Sequence, residues 1–438
     1  MNPSRSDIVA LDKRRVWHPY TEMGSYIAGT EPLVVARASG SRLFDVDGRS
    51  FLDANSSWWV STLGHNHPRL VEALRRQAEE LCHCSLAGIT HPGAAHLADE
   101  LVQVAPPGLG RVFFSDNGST SVEVAVKLAV QFAAQNGAPK RRRFLALEGA
   151  FHGETVGATS LGGVEVFRRP FAGILFDCVH VAPPTRGDSY ARAFDDLDRA
   201  LRAAPDEIAA VVLEPRVQGA AGMRIYSDEY LRHVRRRCDE HGILLVYDEV
   251  FSGYGRTGPM WACQPSGTSP DLLCLAKGFS GGMFPMAATL ATERVFQGFV
   301  GDKSRTFFYG HTYCGNPLGA AVAREVLRVY REERILEGAA QKARAIAAAF
   351  TALADLPGVS SVRALGMIGA VDLDDAKDAA GYLAPSGWRV YEAALRRGLY
   401  LRPLGNVVYV APPLNIPDAD LHELLGKVRE AIEEVVTG

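Results

Sequence analysis

The sequence predicts an α/β protein: a large unit with a doubly wound, mainly parallel sheet, plus a smaller α+β unit built from both chain ends. Three observations lead there. The chain has 438 residues, more than one small core serves at roughly 100–200 residues per domain. Between about residues 95 and 295 short apolar runs alternate with helical patterns, as strands buried on both faces and their crossover helices do. Both ends instead carry hairpin-like and amphipathic patterns. Residues 1–60 are expected to form the N-terminal segment of the small domain, 61–330 the large domain, and 331–438 the C-terminal part of the small domain.

Residues 32–56 alternate apolar with polar, and Asp47-Gly48 sits between two apolar runs, a strong hairpin signal. The runs at 111–115, 143–147, 209–213, 243–246, 271–276 and 286–291 read as buried parallel strands. Ser227 stands where an N-cap belongs, and Gly242 is placed to end the helix that follows it, making one repeat of strand and helix. Residues 317–353 read as helical from Pro317 onward. Strands near 360–373 and 399–410 and helices near 386–397 and 419–436 complete the chain.

Composition narrows the function classes. Hydrophobic residues at 47% and charged residues at 22% are those of a globular protein. The formal net charge is −3 and the basic residues are spread out, so neither a nucleic-acid groove nor a membrane-surface patch is implied. No apolar run reaches the ~18 residues of a membrane span, and the start lacks a signal peptide's apolar centre, so a cytoplasmic location is expected. Seven cysteines without a regular framework read as reduced thiols. His65-Asn66-His67 and Cys82-His83-Cys84 find no matching pair, and no metal site is expected.

Two motifs mislead. Gly253-Tyr-Gly255-Arg-Thr-Gly258 has the spacing of a dinucleotide loop, but Pro259-Met260-Trp261 opens no helix to meet a pyrophosphate. Gly278-Phe-Ser280-Gly-Gly282 has the spacing of a serine nucleophile elbow, yet Gly281, Gly282 and Pro285 forbid the helix it needs.

The chemistry lies elsewhere. Gly118 and Ser119 stand where a strand passes into a long helix, and small hydroxyl-bearing residues at a helix N-terminus make a phosphate cup; an ordinary N-cap has the same composition. Asp248 closes an apolar run, at the strand edge where open α/β sheets bind ligands; a structural ion pair is the competing reading. Lys277 follows a fully apolar run, where a partly desolvated amine has a lowered pKa and can condense with an aldehyde; a lysine snorkelling to the surface is the alternative. Cup, aspartate and lysine together meet what pyridoxal 5'-phosphate requires.

At these residues the sequence resembles the class III aminotransferases of the fold type I pyridoxal-phosphate family. The resemblance is carried by Trp17-His-Pro-Tyr20, Ser56-Ser-Trp58-Trp59, Gly64-His-Asn-His-Pro68, Phe114-Ser-Asp-Asn-Gly-Ser119, Glu214-Pro-Arg-Val-Gln-Gly219, Gly255-Arg-Thr-Gly258 and Leu401-Arg-Pro403. It implies an aminotransferase of biotin synthesis acting on 8-amino-7-oxononanoate, with S-adenosylmethionine as amino donor. It further implies a homodimer in which His311 and Thr312 of the second copy help hold the phosphate. Lys277, Asp248 and Tyr20 would be catalytic, and Gly118, Ser119, Phe151 and His152 would join them around the cofactor. Trp58, Trp59, Tyr20, Phe151, Gly310 and Tyr409 would line the substrate channel, and Arg402 would pair with the substrate carboxylate.

Two departures matter. Phe151 replaces the family's usual tyrosine, keeping the ring and losing the hydroxyl. The segment Gly310-His-Thr-Tyr-Cys-Gly315 replaces the Gly-Pro-Thr-Phe-Met form of adenosylmethionine users, which leaves lysine open as donor. A general ω-amino acid:pyruvate transaminase and a pyridoxal-phosphate-binding regulatory or carrier protein are the rival functions.

Overall fold

A computed structural model of the chain describes residues 4–184, 190–374 and 382–437. Its centre is a seven-stranded sheet in the order Leu109–Ser115, Ala287–Thr292, Leu272–Leu275, Leu244–Asp248, Ile208–Leu213, Arg143–Leu147, Cys178–Val181. Alternate residues of its strands feed separate apolar clusters. Leu244, Val246, Leu272 and Cys274 pack with Val122, Ala125 and Ala129 of the helix Gly118–Gln135. Leu245, Tyr247, Leu273 and Leu275 join the larger cluster on the other face. Both faces are therefore covered, which is why these strands read as unbroken apolar runs.

Six strands run parallel to one another, and one does not. Ala287–Thr292 is antiparallel to both neighbours, Leu272–Leu275 and Leu109–Ser115. This corrects the parallel reading of the 286–291 run. The connection from Leu275 holds only a short 3-10 turn, Lys277–Ser280, and a parallel return needs a crossover of a dozen or more residues, usually a helix.

The two chain ends meet. The hairpin of Arg42–Asp45 and Ser50–Asp53 forms at Asp47-Gly48, and Leu399–Tyr400 adds to Ser50–Asp53 in parallel, pairing Leu399 with Leu52 and Tyr400 with Asp53. A second sheet joins Val359–Leu365, Ile368–Leu373 and Val407–Val410, all antiparallel. The expected strand at 399–410 is thus two short strands in different sheets, separated at Pro403, which lacks the N–H a central strand uses. The expected helix at 317–353 is also two, Pro317–Glu332 and Ile335–Thr351, broken at Arg334 in left-handed backbone (φ 51°). The first packs on Pro68–Glu80 and Pro92–Val104 beside the large sheet, the second on the small sheet. On this connectivity we propose keeping the division at 1–60, 61–330 and 331–438.

Ser227 occupies the N-cap of Asp228–His241 without a side-chain capping bond, and Gly242 ends that helix in left-handed backbone. Among the described residues no helix is long and apolar enough to cross a membrane.

Candidate active site

The helix Gly118–Gln135 starts beside the strand ends. Its cap is Asn117, whose side chain accepts from the Thr120 amide at 3.0 Å while the Thr120 hydroxyl accepts from the Asn117 amide at 3.0 Å. The Ser121 hydroxyl donates back to the Gly118 carbonyl at 2.8 Å. These hydroxyls serve the helix itself, and Asn117 takes the Thr120 amide, so the cup consists of the Gly118 and Ser119 amides, which have no intrahelical partner and lie at the positive end of the dipole. At Gly118 an added Cβ would lie 2.8 Å from the Val250 side chain, and at Gly153 (φ +124°) it would run into Ser119. Ser119 Oγ accepts from the Glu154 amide at 3.0 Å, joining the cup to the 151–154 loop.

Asp248 ends its strand with Oδ1 accepting from the Val250 amide at 3.0 Å and Oδ2 2.8 Å from His152 Nδ1. Burial alone would push the His152 pKa down, but the hydrogen bond and charge of Asp248, with Glu214 behind it, hold it above the ordinary value. Its other nitrogen, Nε2, is buried without a partner. Glu214 accepts from the amides of Phe151 (3.2 Å) and Gly219 (3.0 Å), and burial pushes its carboxyl up to about 7, helped by Asp248 and opposed by His152.

Lys277 begins the 3-10 turn with φ 50°. Its amine lies 4.6 Å from the Trp59 ring centroid and 5.9 Å from that of Phe251, and no hydrogen bond or ion pair engages it among the described residues. Part of its surface faces the cavity, yet it sits deep in the fold. Burial lowers its pKa to about 8 against the raising pull of Asp248 and Glu214.

Gly118, Ser119, Phe151, His152, Asp248 and Lys277 all border one cavity of about 340 Å³. Free amides at one side, a carboxylate at another and an unengaged amine of lowered pKa fit a phosphorylated pyridine aldehyde. A second cavity of about 390 Å³ shares Trp59, Val60, Phe151, Ala220 and Lys277 with the first, so the two communicate. Tyr20 and Trp58 border it, ring centroids 5.3 Å apart, and the Tyr20 hydroxyl donates to Glu154. The Arg402 guanidinium lies 4.9 Å from the Trp58 ring centroid and 5.5 Å from that of Trp388. Its Nε is buried without a partner. No carboxylate stands within ion-pair distance of it among the described residues; the guanidinium engages the Tyr382 hydroxyl, and Arg402 itself borders neither cavity, lying behind Trp58 and Tyr382, which border the second.

The backbone carrying the two indoles is unusual. Ser56, Ser57, Trp58 and Trp59 all have positive φ, at 48°, 46°, 68° and 74°, which makes a left-handed helical turn without a glycine. Such backbone costs roughly 1–2 kcal/mol per residue for L-amino acids.

The structure does not bring every expected residue to the cavities. Tyr409 is fully buried under Trp59, its hydroxyl accepting from Trp59 Nε1 at 3.0 Å, and lines neither cavity. This corrects the channel position expected for it: the strand Val407–Val410 is buried on both faces, so an inward ring there packs in the core. His311 Nδ1 lies 2.6 Å from Asp116 of the same chain, while Gly310 and Thr312 are exposed and border neither cavity of a single chain. Phe167 and Tyr382 border the second cavity without any signal in the sequence that pointed to them. Glu154 had one: it stands three residues after Phe151, whose departure from the family pattern the sequence marks.

The profile of the family described as aminotransferase class-III matches residues 26–432. A protein of Nitratidesulfovibrio vulgaris described as adenosylmethionine-8-amino-7-oxononanoate aminotransferase is 42% identical, covering 97% of this chain and 81% of its own. One of Geobacter sulfurreducens with the same description is 39% identical over 98% and 97%. The crystal structure of the protein so described from Methanocaldococcus jannaschii superposes with a TM-score of 0.94 at 34% identity, covering 99% of this chain and 100% of that one. An omega transaminase of Pseudomonas jessenii in complex with PMP gives 0.93 at 28% identity, covering 98% of each.

Proposed function

The chain belongs to the class-III aminotransferases, enzymes that depend on pyridoxal phosphate, and from that premise we propose that it transfers an amino group from S-adenosylmethionine to 8-amino-7-oxononanoate, yielding 7,8-diaminononanoate for biotin synthesis. The observation that carries the reading is an Arg402 with no carboxylate partner among the described residues, its guanidinium against Trp58 and beside Tyr382, both of which border the aromatic cavity that reaches the Lys277 amine. A substrate with a carboxylate at one end, an apolar chain and an amine or ketone at the other matches that order of groups.

The cofactor, when bound, supplies an aldehyde for amines and a ring that accepts electron density. Each neighbouring residue then has a role suited to its chemistry. The amides of Gly118 and Ser119 would hold the phosphate. Asp248, oriented by His152, would hold a proton on the ring nitrogen, and Phe151 would cover the ring. Lys277, neutral above about pH 8, would carry the aldehyde at rest and move the proton at the substrate's amine-bearing carbon. Arg402 would bind the carboxylate, while Trp58 and Trp59 cover the aliphatic chain and exclude water. Tyr20, hydrogen-bonded to Glu154, would hold a proton near the substrate amine.

In this reading the enzyme is a cytoplasmic homodimer. Gly310, His311 and Thr312 would complete the phosphate site of the second copy, which suits the exposure of Gly310 and Thr312. Its partners are small molecules, with neither nucleic acid nor membrane among them. The test follows the cofactor's absorbance in the loaded enzyme. Adenosylmethionine should change it, and 8-amino-7-oxononanoate added afterwards should restore it with release of 7,8-diaminononanoate. A change with lysine but not adenosylmethionine would overturn the donor; failure of restoration would overturn the acceptor.

A further inference from the structure

We infer that Asp53 is a positioning residue for the acceptor substrate, its buried carboxylate holding the left-handed turn that aims Trp58 and Trp59. The inference rests on the substrate channel proposed above. Two helical hydrogen bonds define the turn, from the Trp59 amide to the Asn55 carbonyl at 2.7 Å and from the Val60 amide to the Ser56 carbonyl at 2.9 Å. With no glycine among Ser56, Ser57, Trp58 and Trp59, local sequence disfavours this backbone, and surrounding structure must impose it.

The imposing groups converge on Asp53, which is 0% exposed. Its Oδ2 accepts from the Ser57 amide at 2.7 Å and lies 2.8 Å from His65 Nε2; its Oδ1 accepts from the Asn55 amide at 3.0 Å. Asn55 extends the unit: its Oδ1 accepts from the Arg402 amide at 2.5 Å, and its Nδ2 donates to the Tyr409 carbonyl at 3.3 Å. Ser56 Oγ donates to the Ala411 carbonyl at 2.8 Å. One carboxylate therefore ties the start of the turn to the residue that faces the substrate's anionic end.

The handedness has a use. Successive side chains on a helical turn differ by about 100°, whereas on a strand they point to opposite faces. Trp58 and Trp59 consequently border the same channel on adjoining sides. Trp58 faces Tyr20 and Arg402, while Trp59 faces the Lys277 amine and packs 4.4 Å from the Phe251 ring centroid.

Asp53→Asn keeps the shape but gives up one acceptor oxygen. On 8-amino-7-oxononanoate, or on a keto acid the wild type accepts if it rejects that compound, KM should rise about tenfold with kcat within about threefold. Cofactor loading should stay unchanged. Because glycine adopts left-handed backbone without a Cβ penalty, adding Ser57→Gly to Asp53→Asn should return KM to within about threefold of wild type. If Asp53→Asn does not fold, His65→Phe removes a single partner of the carboxylate and should raise KM by about threefold. An unchanged KM in a folded variant would overturn the inference. So would a joint fall in kcat, cofactor loading and thermal stability that Ser57→Gly fails to correct. Rejection of 8-amino-7-oxononanoate by the wild type would count against the proposed substrate alone.

Discussion

The inner and outer cavities meet at Lys277 but are built by different means. The inner one sits where Leu244–Asp248 and Leu272–Leu275 end, beside the start of Gly118–Gln135, and its polar groups are held largely by backbone hydrogen bonds. The outer one gathers the aromatic residues 20, 58, 167 and 382 from distant parts of the chain, carried on loops and short helical turns. The contrast separates two tasks. Reaction chemistry takes its precision from the sheet, while substrate choice rests on segments that can change without disturbing it.

Substitutions should respect that separation, in descending order of effect. Lys277→Ala should lower transamination by about 10³-fold or more, and borohydride should no longer fix pyridoxal phosphate to the chain. A fixed adduct on another lysine would remove Lys277 from its role. Asp248→Asn should cost about 10²–10³-fold in kcat with cofactor still bound, measured by single turnover. Arg402→Ala belongs to the other side of the comparison: about a 10- to 150-fold loss in kcat/KM for the carboxylate acceptor, with cofactor absorbance unchanged. Loss of cofactor in that variant would break the division between cavities.

Acidity sharpens the inner half. Burial disfavours the Lys277 ammonium and brings its pKa to about 8, so the neutral amine forms at lower pH than in an exposed lysine. Covalent uptake of pyridoxal phosphate by the cofactor-free chain should therefore rise about tenfold between about pH 7 and 9 and then level off. Uptake still climbing steeply at about pH 10 would indicate an ordinary amine. The smallest effect is expected from Phe151→Tyr, about two- to threefold in kcat/KM, the worth of one weak hydrogen bond.

The same contrast governs what could be read in advance. Asp248 and Lys277 were legible because an apolar run followed by one polar residue marks a strand end, and an open sheet presents such ends to a ligand. Gly118 and Ser119 were legible as small residues at a helix start. The hydroxyls of Thr120 and Ser121 were harder, because composition does not say which way a side chain turns. The direction of Ala287–Thr292 was missed because apolar pattern is the same for either direction, and only the short connection decides. Tyr382 and Phe167 carry no local signal, since their place in the outer cavity depends on folding that brings remote segments together. The left-handed turn was hidden for the opposite reason: its local signal, four residues without glycine, argues against it.

The pairing of Leu52 with Leu399 has a consequence for the order in which a newly made chain can become active. Asn55 and Arg402, joined by a hydrogen bond, are 347 residues apart. At the usual pace of synthesis, about 5–20 residues per second, the N-terminal partner waits roughly 17–70 s for the other to be made. Every strand of the large sheet is finished by Thr292, so the strand ends that carry Asp248 and Lys277 can form while the C-terminal portion is still on the ribosome, whereas Trp59 of the same pocket waits for Tyr409. A chain released before residue 399 would carry the strand ends that bear Asp248 and Lys277 without the segment that fixes the indole turn beside them.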